Sequence, residues 1–274
     1  MGEVLDYRTF FGERSHATHK VTVLLCALTT SALGVSRATA LPTAEELIKQ
    51  MQTKLEGVKT LSADLSMTIP PAQVSGTGHG IGARLEKDGK VTRQSFTEFT
   101  MKMKGRRGEQ TMTVKTVNDG QYVWQEMRPS APAAVRVMKM KPEQMTSEFD
   151  PLKQTEELNT GFDLKVTAED SIDGQKMYVL EGGFRPEFLK QHPEAAREAK
   201  AFSKVSIFVG QDDHLIHRVV ALSPKGEVVG VMDLSNIKLN EKTDPDLFSY
   251  APPPGAQFMD MTQGTPQVSG PGDE

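Results

Sequence analysis

The fold is decided by residues 205–262, which read VSIFVGQDDHLIHRVVALSPKGEVVGVMDLSNIKLNEKTDPDLFSYAPPPGAQFMDMT. This stretch contains three strand-like runs, which are Val205–Val209, Leu215–Leu222 and Glu227–Leu239. Short segments rich in Gly, Asp and Pro separate the runs, which is typical of turns between antiparallel strands. The stretch therefore predicts an antiparallel meander, and it predicts that the Pro- and Gly-rich segment Asp244–Thr262 forms the final edge of the sheet.

The preceding part of the chain predicts further strands of the same kind. Leu61–Ile69 alternates in polarity until Pro70 and Pro71 end it. Similar alternation continues in residues 95–104, 111–117, 122–128, 135–141, 162–168 and 176–181. Glycine takes every second position from Gly76 to Gly82, which predicts a strand with one bare face or a mobile edge. Ile81 stands where a dinucleotide fingerprint needs its third glycine, so the run is not a nucleotide motif.

Helices are predicted at the start of the domain and in two later insertions. Thr43 and Glu46 have the spacing of a capping box, and an apolar stripe with helical period follows as far as Val58. Residues 142–158 and 186–201 read as helical insertions. Residues 263–274 lack apolar periodicity, which is typical of a disordered tail. Together these patterns predict an α+β, mainly antiparallel β fold: a curved sheet or unclosed barrel covered by helices.

Residues 1–40 predict an export signal that precedes a domain at residues 41–262. Lys20 stands before the apolar run Val21–Val35, and Ala38-Thr39-Ala40 matches a small-x-small cleavage site. The run is shorter than the roughly 20 apolar residues of a membrane span, although an uncleaved anchor is the alternative. The leader before Lys20 is long and mixed in charge, which leaves the true start codon open.

Composition and spacing argue against several functional classes. The net charge is −4 and no basic patch with interleaved aromatics occurs, which argues against a nucleic-acid partner. His214 and His217 point to opposite faces of a predicted strand, and His79 and His192 have no partner at ligand spacing, so neither a metal nor a cofactor is expected. Asp212-Asp213 reads as a turn that uses its carboxylates locally. No nucleophile elbow occurs, and the only cysteine, Cys26, lies in the signal, so the protein is not predicted to be an enzyme.

Methionine is the unusual residue of this chain, with 14 copies where only 6% of residues are aromatic. Methionine is flexible and polarizable, and it suits surfaces that repack around varied apolar partners. We therefore predict a lipid-binding set that comprises Met67, Phe99, Met101, Met103, Met112, Val114, Trp124, Met138 and Met140, with Met145 on the following helix. Methionines that merely fill an irregular core are an equal alternative. Burial of an acyl chain in such a cavity contributes about 0.8 kcal/mol per methylene, so no specific polar contact is needed.

Several short segments, in this order, resemble the LolA-like superfamily of bacterial envelope proteins, typified by the periplasmic outer-membrane lipoprotein carrier. After the export signal and the first helix, these segments are LSADLSMT (61–68), NDGQYVW (118–124), DDHLI (212–216), MDLSNI (232–237) and LFSYAPPPG (247–255). Each motif is short, but their order is specific, and the likeness spans nearly all of residues 41–262.

The resemblance implies an unclosed antiparallel barrel whose helices form a lid over an apolar cavity that receives acyl chains. In the carrier, a Gly-rich strand is followed by an Arg-Pro segment whose arginine helps to control the lid. In this chain Gly80–Gly89 contains Arg84 but no Arg-Pro. The resemblance therefore implies the fold and the lipid-binding class more strongly than it implies lipoprotein trafficking.

The sequence thus predicts a periplasmic, non-enzymatic protein that shields lipid or lipoprotein acyl chains, with sorting of lipoproteins to the outer membrane as the most specific form. The expected partners are acyl chains and, transiently, inner- or outer-membrane transport proteins, and the expected state is a monomer. One alternative is an envelope-stress sensor or polymer-binding module with the same fold. The others are a structural or interaction domain with a filled core and, last, a hydrolase.

Overall fold

The computed structural model describes residues 40–87, 89–105, 108–130, 134–145, 155, 158–192, 199–200, 202–263 and 267–269. Within these residues, thirteen strands form one sheet. The strands are β1 (Thr60–Ile69), β2 (Val74–Lys87), β3 (Lys90–Gly105), β4 (Gly108–Asn118), β5 (Val123–Pro129), β6 (Arg136–Met140), β7 (Phe162–Ile172), β8 (Gln175–Phe184), β9 (Lys204–Gly210), β10 (Ile216–Leu222), β11 (Val228–Leu239), β12 (Gln257–Asp260) and β13 (Gln267–Ser269). The α-helices with defined bounds are α1 (Ala44–Leu55) and α2 (Pro186–Gln191), and residues 158–161 are also helical.

The strand order along the sheet is β13-β12-β6-β5-β4-β3-β2-β1-β11-β10-β9-β8-β7. Neighbouring strands run antiparallel apart from the parallel pair β6–β12. Two meanders, β1–β6 and β7–β11, are joined by the pairing of β1 with β11. In the described part of the chain the two outermost strands, β13 and β7, do not pair with each other, so the sheet is not closed. The prediction of a mainly antiparallel, unclosed sheet is confirmed.

Helix α1 begins where the capping pattern predicts. The Thr43 hydroxyl accepts from the Glu46 backbone N–H (3.2 Å), and the Glu46 carboxylate accepts from the Thr43 backbone N–H (2.8 Å). The Thr43 backbone N–H and, second, the Thr43 hydroxyl, which donates to the same carboxylate (2.9 Å), lower the pKa of Glu46. The helix is finished before Gly57, whose φ of 74° is accessible to glycine without strain. The stripe that α1 buries consists of Leu47, Ile48, Met51 and Leu55.

The sheet face that carries α1 is called the inner face, and the opposite one the outer face. Under the body of α1, the inner face contributes Leu164, Leu180, Val205, Ile207 and Val209 to a buried cluster, which Leu158 of the helical residues 158–161 joins. Under the end of the helix lies a second cluster, formed by Leu55, Val58, Leu61, Ala63, Leu65, Leu215 and Leu234. Helix α2 lies on the same face, where Phe188 stacks on Phe184 at a centroid distance of 6.4 Å. The described helices therefore cover β1 and the β7–β11 half of the sheet.

The alternating glycines form strand β2, and their bare face is filled by the next strand. A Cβ atom at Gly76 would lie 2.4 Å from Cε1 of Phe99, and one at Gly78 would lie 2.6 Å from Cδ2 of the same ring. The Phe99 ring therefore lies across β2 in the space that the missing side chains leave. Because Phe99 also packs against the second core cluster, β2 and β3 are held together on the inner face.

The segment after β11 takes a different route from the predicted one. It does not border the β9–β11 meander, because β1 occupies the free edge of β11. It crosses the outer face instead, where Phe248 is buried against Ile81 and Ala83. The Tyr250 hydroxyl donates to the buried carboxylate of Glu126 (2.7 Å), and burial together with this hydrogen bond raises the pKa of Tyr250. The segment ends as β12, parallel to β6.

Three other predicted regions are only partly visible. Residues 1–39, with the predicted signal and Cys26, lie outside the described residues, and so do residues 146–154, 156–157, 193–198 and 201 of the predicted helical insertions. Residues 263–274 were predicted to lack structure, but Gln267–Ser269 form β13, because the free edge of β12 offers backbone hydrogen-bonding groups. Among the described residues, no helix has both the length and the apolar character needed to cross a membrane.

Replacing Gly78 with Ala is expected to lower the free energy of unfolding by about 1–3 kcal/mol, because the methyl group would overlap the Glu98 carbonyl oxygen and the Phe99 ring. Gly230→Ala is the matched control, since its Cβ would meet only the Ala221 Cβ, at 3.8 Å. Urea unfolding followed by the fluorescence of the single tryptophan measures both variants. Equal unfolding midpoints would contradict the role given to β2.

Candidate functional site

Methionines line up on the inner face of the sheet. Directly opposed residues of neighbouring strands share a face, so the register assigns each side chain to one side. One row crosses five strands, from β11 to β4, in the order Met232, Met67, Gly76, Met101 and Met112. By the same reasoning, nine of the 14 methionines lie on the inner face; they are Met67, Met101, Met103, Met112, Met127, Met138, Met140, Met232 and Met259.

The nine inner-face methionines are called the methionine face. Met232 is 37% exposed, and the other eight are half-buried. Most of the methionine face lies on β3–β6 and β12, on the side of β1 away from the two clusters that α1 buries. Among the described residues, then, the inner face has a packed half under helices and a half whose apolar side chains stay partly accessible.

Eight of the ten predicted lipid-binding residues share the inner face. They are Met67, Phe99, Met101, Met103, Met112, Val114, Met138 and Met140. Among them, Phe99 fills with its ring the space that Gly76 and Gly78 of β2 leave on the inner face. Three further inner-face methionines were missed by sequence reasoning: Met127, Met232 and Met259.

Two predicted residues do not join this face. Trp124 is opposed to Val117 and Lys139, which alternate with inner-face residues, so it lies on the outer face. There its ring is 5.5 Å from that of Tyr250, and the Lys139 ammonium is 5.0 Å from its centroid. Met145 does not lie on a helix; it follows the 3-10 turn Pro142–Gln144 with extended backbone angles. Trp124 lies on the outer face because side chains alternate between the two faces along β5. Met145 lies outside a helix because the 3-10 turn before it ends at Gln144.

The space enclosed beneath α1 is small. A cavity of about 20 Å³ lies between the helix and the sheet, and its lining includes Met51, Leu55, Leu61, Thr155 and His214. This volume is near that needed for one water molecule and far below that of an acyl chain. A filled core therefore describes the helix-covered half of the inner face, and an acyl chain would need the methionine face.

A polar groove of about 550 Å³ lies on the outer face beside β1, β2 and β11. In it His79 Nδ1 is 2.9 Å from Asp64 Oδ1, and the Asn236 amide donates to Asp64 Oδ2 (2.7 Å). The Asn236 bond, followed by that to His79, lowers the pKa of Asp64. The prediction that His79 has no acidic partner was wrong, because β1–β2 pairing opposes it to Asp64. No cluster of three metal-binding side chains occurs within the described ranges.

The turn between β9 and β10 uses Asp213 as predicted, for local hydrogen bonds. Its carboxylate accepts from the Leu215 N–H (3.0 Å) and from Gln175 Nε2 (3.0 Å), and it lies 2.8 Å from His217 Nε2. Burial would raise the pKa of Asp213, but these partners together lower it to about 2. His214 lies in the turn with a φ of 56°, and not in the strand that was predicted to hold it. Its buried Nδ1 has no hydrogen-bond partner.

No protein-family model matches the chain, and no curated protein sequence matches it. Among similar solved structures is that of an uncharacterized conserved protein from Thermus thermophilus, 15% identical, with 79% of this chain and 98% of that chain covered and a TM-score of 0.48. The Pseudomonas aeruginosa MucA/MucB complex matches at 14% identity, 82% and 73% coverage and a TM-score of 0.40.

A third similar structure is a putative outer membrane lipoprotein-sorting protein domain from Vibrio parahaemolyticus, at 14% identity, 74% and 94% coverage and a TM-score of 0.34. A lipoprotein-sorting protein domain is thus among the solved structures that this chain resembles. All three TM-scores lie below 0.5, so the neighbours carry no argument about what this chain binds.

Replacing Asp213 with Asn is expected to lower the free energy of unfolding at pH 7 by about 1–2 kcal/mol. The pKa of Asp213 is lowered from 3.8 to about 2, so its stabilising effect is fully present above about pH 4 and is lost as the pH falls through about 2. The deficit of the variant should therefore shrink towards pH 2. Asp212→Asn, on the exposed neighbouring residue, is the control. Thermal unfolding between pH 7 and pH 2 measures the deficit, and a deficit independent of pH would exclude this account.

Proposed function

We propose that this protein is a periplasmic, non-enzymatic binding protein that shields lipid or lipoprotein acyl chains on the methionine face. The observation that supports this most is the continuity of half-buried methionines across the inner side of an open sheet. Surfaces of this kind adapt to apolar chains of varied shape because thioether side chains have many rotamers of similar energy.

Binding of an acyl chain would rest on apolar burial alone. Each buried methylene contributes about 0.8 kcal/mol, so a chain of a dozen carbons supplies several kcal/mol even after the cost of ordering it. The ring of Phe99 and the side chain of Val114 lie in the next row, beside Met101 and Met112, and would form the floor of the site. No charged partner is needed, which fits a carrier that accepts different acyl chains.

Uptake and release need a state that binds the chain better than another state does, since a ligand shifts an equilibrium only by its differential affinity. Helix α1 is an unsuitable moving part, because Leu47 and Met51 are 0% and 1% exposed. We infer that α1 is a fixed wall and that the acyl chain enters from the open side of the methionine face.

The most specific form of this proposal is that the protein sorts lipoproteins and makes transient contacts with membrane transport proteins.

A second candidate is a structural or interaction domain without a lipid ligand, and one observation favours it. The enclosed space under α1 is only about 20 Å³, so the helix-covered half is already filled. On this account the methionine face is a loosely packed core surface and binds no chain. The two candidates differ in whether the protein carries lipid.

The deciding experiment is native mass spectrometry of the protein purified from the periplasm, followed by solvent extraction and lipid analysis. The carrier proposal expects a co-purified acyl lipid, or saturable binding of a dansyl-labelled fatty acid by the lipid-free protein. A protein that is always empty, and that also fails to bind the labelled fatty acid, would establish the second candidate.

Replacing Met112 with Asp is expected to weaken binding of the labelled fatty acid by at least about tenfold, because an unpaired carboxylate would be placed in the apolar contact. Thr111→Asp is the matched control: it is the preceding residue of β4, is also half-buried, and points to the outer face. Fluorescence titration measures affinity, and circular dichroism checks that both variants fold. Equal losses in the two variants would move the binding site away from the methionine face.

A further inference from the structure

We propose that the methionine face is a site of reversible oxidation, at which peroxide or hypochlorous acid converts thioethers to sulfoxides and so switches off apolar binding. The inference rests on the proposed function for its second half, the loss of binding. Its first half, preferential oxidation of the methionine face, stands on burial and chemistry alone.

The fold separates two classes of methionine by access. Met51 of α1 and Met177 of β8 are 1% and 0% exposed. In the methionine face, by contrast, eight residues are half-buried and Met232 is 37% exposed. Since an oxidant must reach the sulfur atom, susceptibility follows exposure. The face therefore reacts first, and the two buried methionines report when the fold itself is lost.

No thiol competes for the oxidant, although Met145 and Met261, outside the methionine face, are also half-buried. The chain has one cysteine, Cys26, which lies in the predicted signal, so no thiol within residues 41–274 competes for the oxidant. In the reaction with hydrogen peroxide the O–O bond breaks. One oxygen atom forms the S=O bond while the other leaves as water, so the sulfur loses two electrons and the peroxide gains them. Methionine sulfoxide reductases reverse this step.

The position of these methionines explains why their sulfoxides would weaken binding of an acyl chain. Opposed pairs of methionines, Met67 with Met232 and Met101 with Met112, stand side by side in one row. Oxidation places strongly polar S=O groups in the middle of that row. An acyl chain cannot hydrogen-bond to them, so their desolvation on binding is uncompensated. A few sulfoxides thus convert a continuous apolar surface into an interrupted one without any change of the backbone.

The first measurement is peptide mass mapping of the folded protein during treatment with limiting hydrogen peroxide. Met67, Met101, Met112 and Met232 are expected to gain oxygen at least about tenfold faster than Met51 and Met177, which serve as internal controls. Equal rates in the two groups, while circular dichroism shows a folded protein, would overturn the proposal.

The second measurement is affinity for dansyl-labelled fatty acid before and after oxidation. The wild-type protein is expected to lose at least about tenfold in affinity, because sulfoxides replace thioethers in the contact. A variant with Met67→Leu, Met101→Leu, Met112→Leu and Met138→Leu cannot be oxidised at these positions, so, measured against its own affinity before treatment, it should lose less affinity than the wild-type protein does. Unchanged affinity of the oxidised wild-type protein would overturn the switch.

A third measurement keeps the test independent of the folding of the leucine variant. Treatment of the oxidised wild-type protein with methionine sulfoxide reductases should restore binding, and failure to restore it while sulfoxides are removed would count against the switch. If the untreated protein carries no lipid and binds no labelled fatty acid, the proposed function fails and the switch fails with it. In that case the comparison of oxidation rates between the methionine face and the buried Met51 and Met177 still decides whether the methionine face is the modification site.

Discussion

The pairing of β1 with β11 is the interaction on which the rest of the structure depends. It joins two meanders that the chain builds separately, and it does so between residues far apart in sequence, such as Leu65 and Leu234. The same pairing brings the leucines beneath the end of α1 into one buried cluster. Without it, the buried cluster beneath the end of α1 would not form, and the methionine row would be broken between Met232 and Met67. The second core cluster, the contacts at the end of α1 and the continuity of the methionine row therefore all depend on the pairing of β1 with β11.

The inner face is divided by chemistry as well as by coverage. Beneath the helices it is built from Leu, Ile and Val, whose branched side chains pack closely and leave little space. Away from the helices it is built largely from methionine, whose long and flexible side chain fills space without defining a single arrangement. A stable sheet can therefore carry an adaptable surface, because the first half supplies the stability.

Local patterns predicted local structure well. The capping box of Thr43 and Glu46, the strand made by alternating glycines and the turn at Asp213 each depend on residues a few positions apart, so the sequence contains their full cause. The same alternation placed eight of ten candidate residues on one face. It would also have placed Met127 with Val123 and Trp124 opposite them, had the period of two been applied through β5.

Such local patterns could not predict which strands pair when they lie far apart in the sequence. The contact of His79 with Asp64 exists because β1 and β2 are opposed in one register, and a register shift in β1–β11 brings Asn236 to the same carboxylate. The position of Met259 beside Met138 depends on the parallel pair β6–β12, which leaves no mark near either residue. Sequence spacing describes neighbours along a strand, whereas these contacts are set by which strands pair.

The route of the C-terminal segment over the outer face has a consequence for the order of assembly. Tyr250 reaches Glu126 across 124 positions of sequence, and β12 supplies the edge partner of β6. The N-terminal meander cannot complete that edge until Gln257–Asp260 have been made. Until then β6 presents unpaired backbone groups, which are open to pairing with other chains. This fold therefore leaves the edge of β6 uncovered until the second meander and the outer-face segment have been made, and a truncation before β12 would leave that edge uncovered permanently.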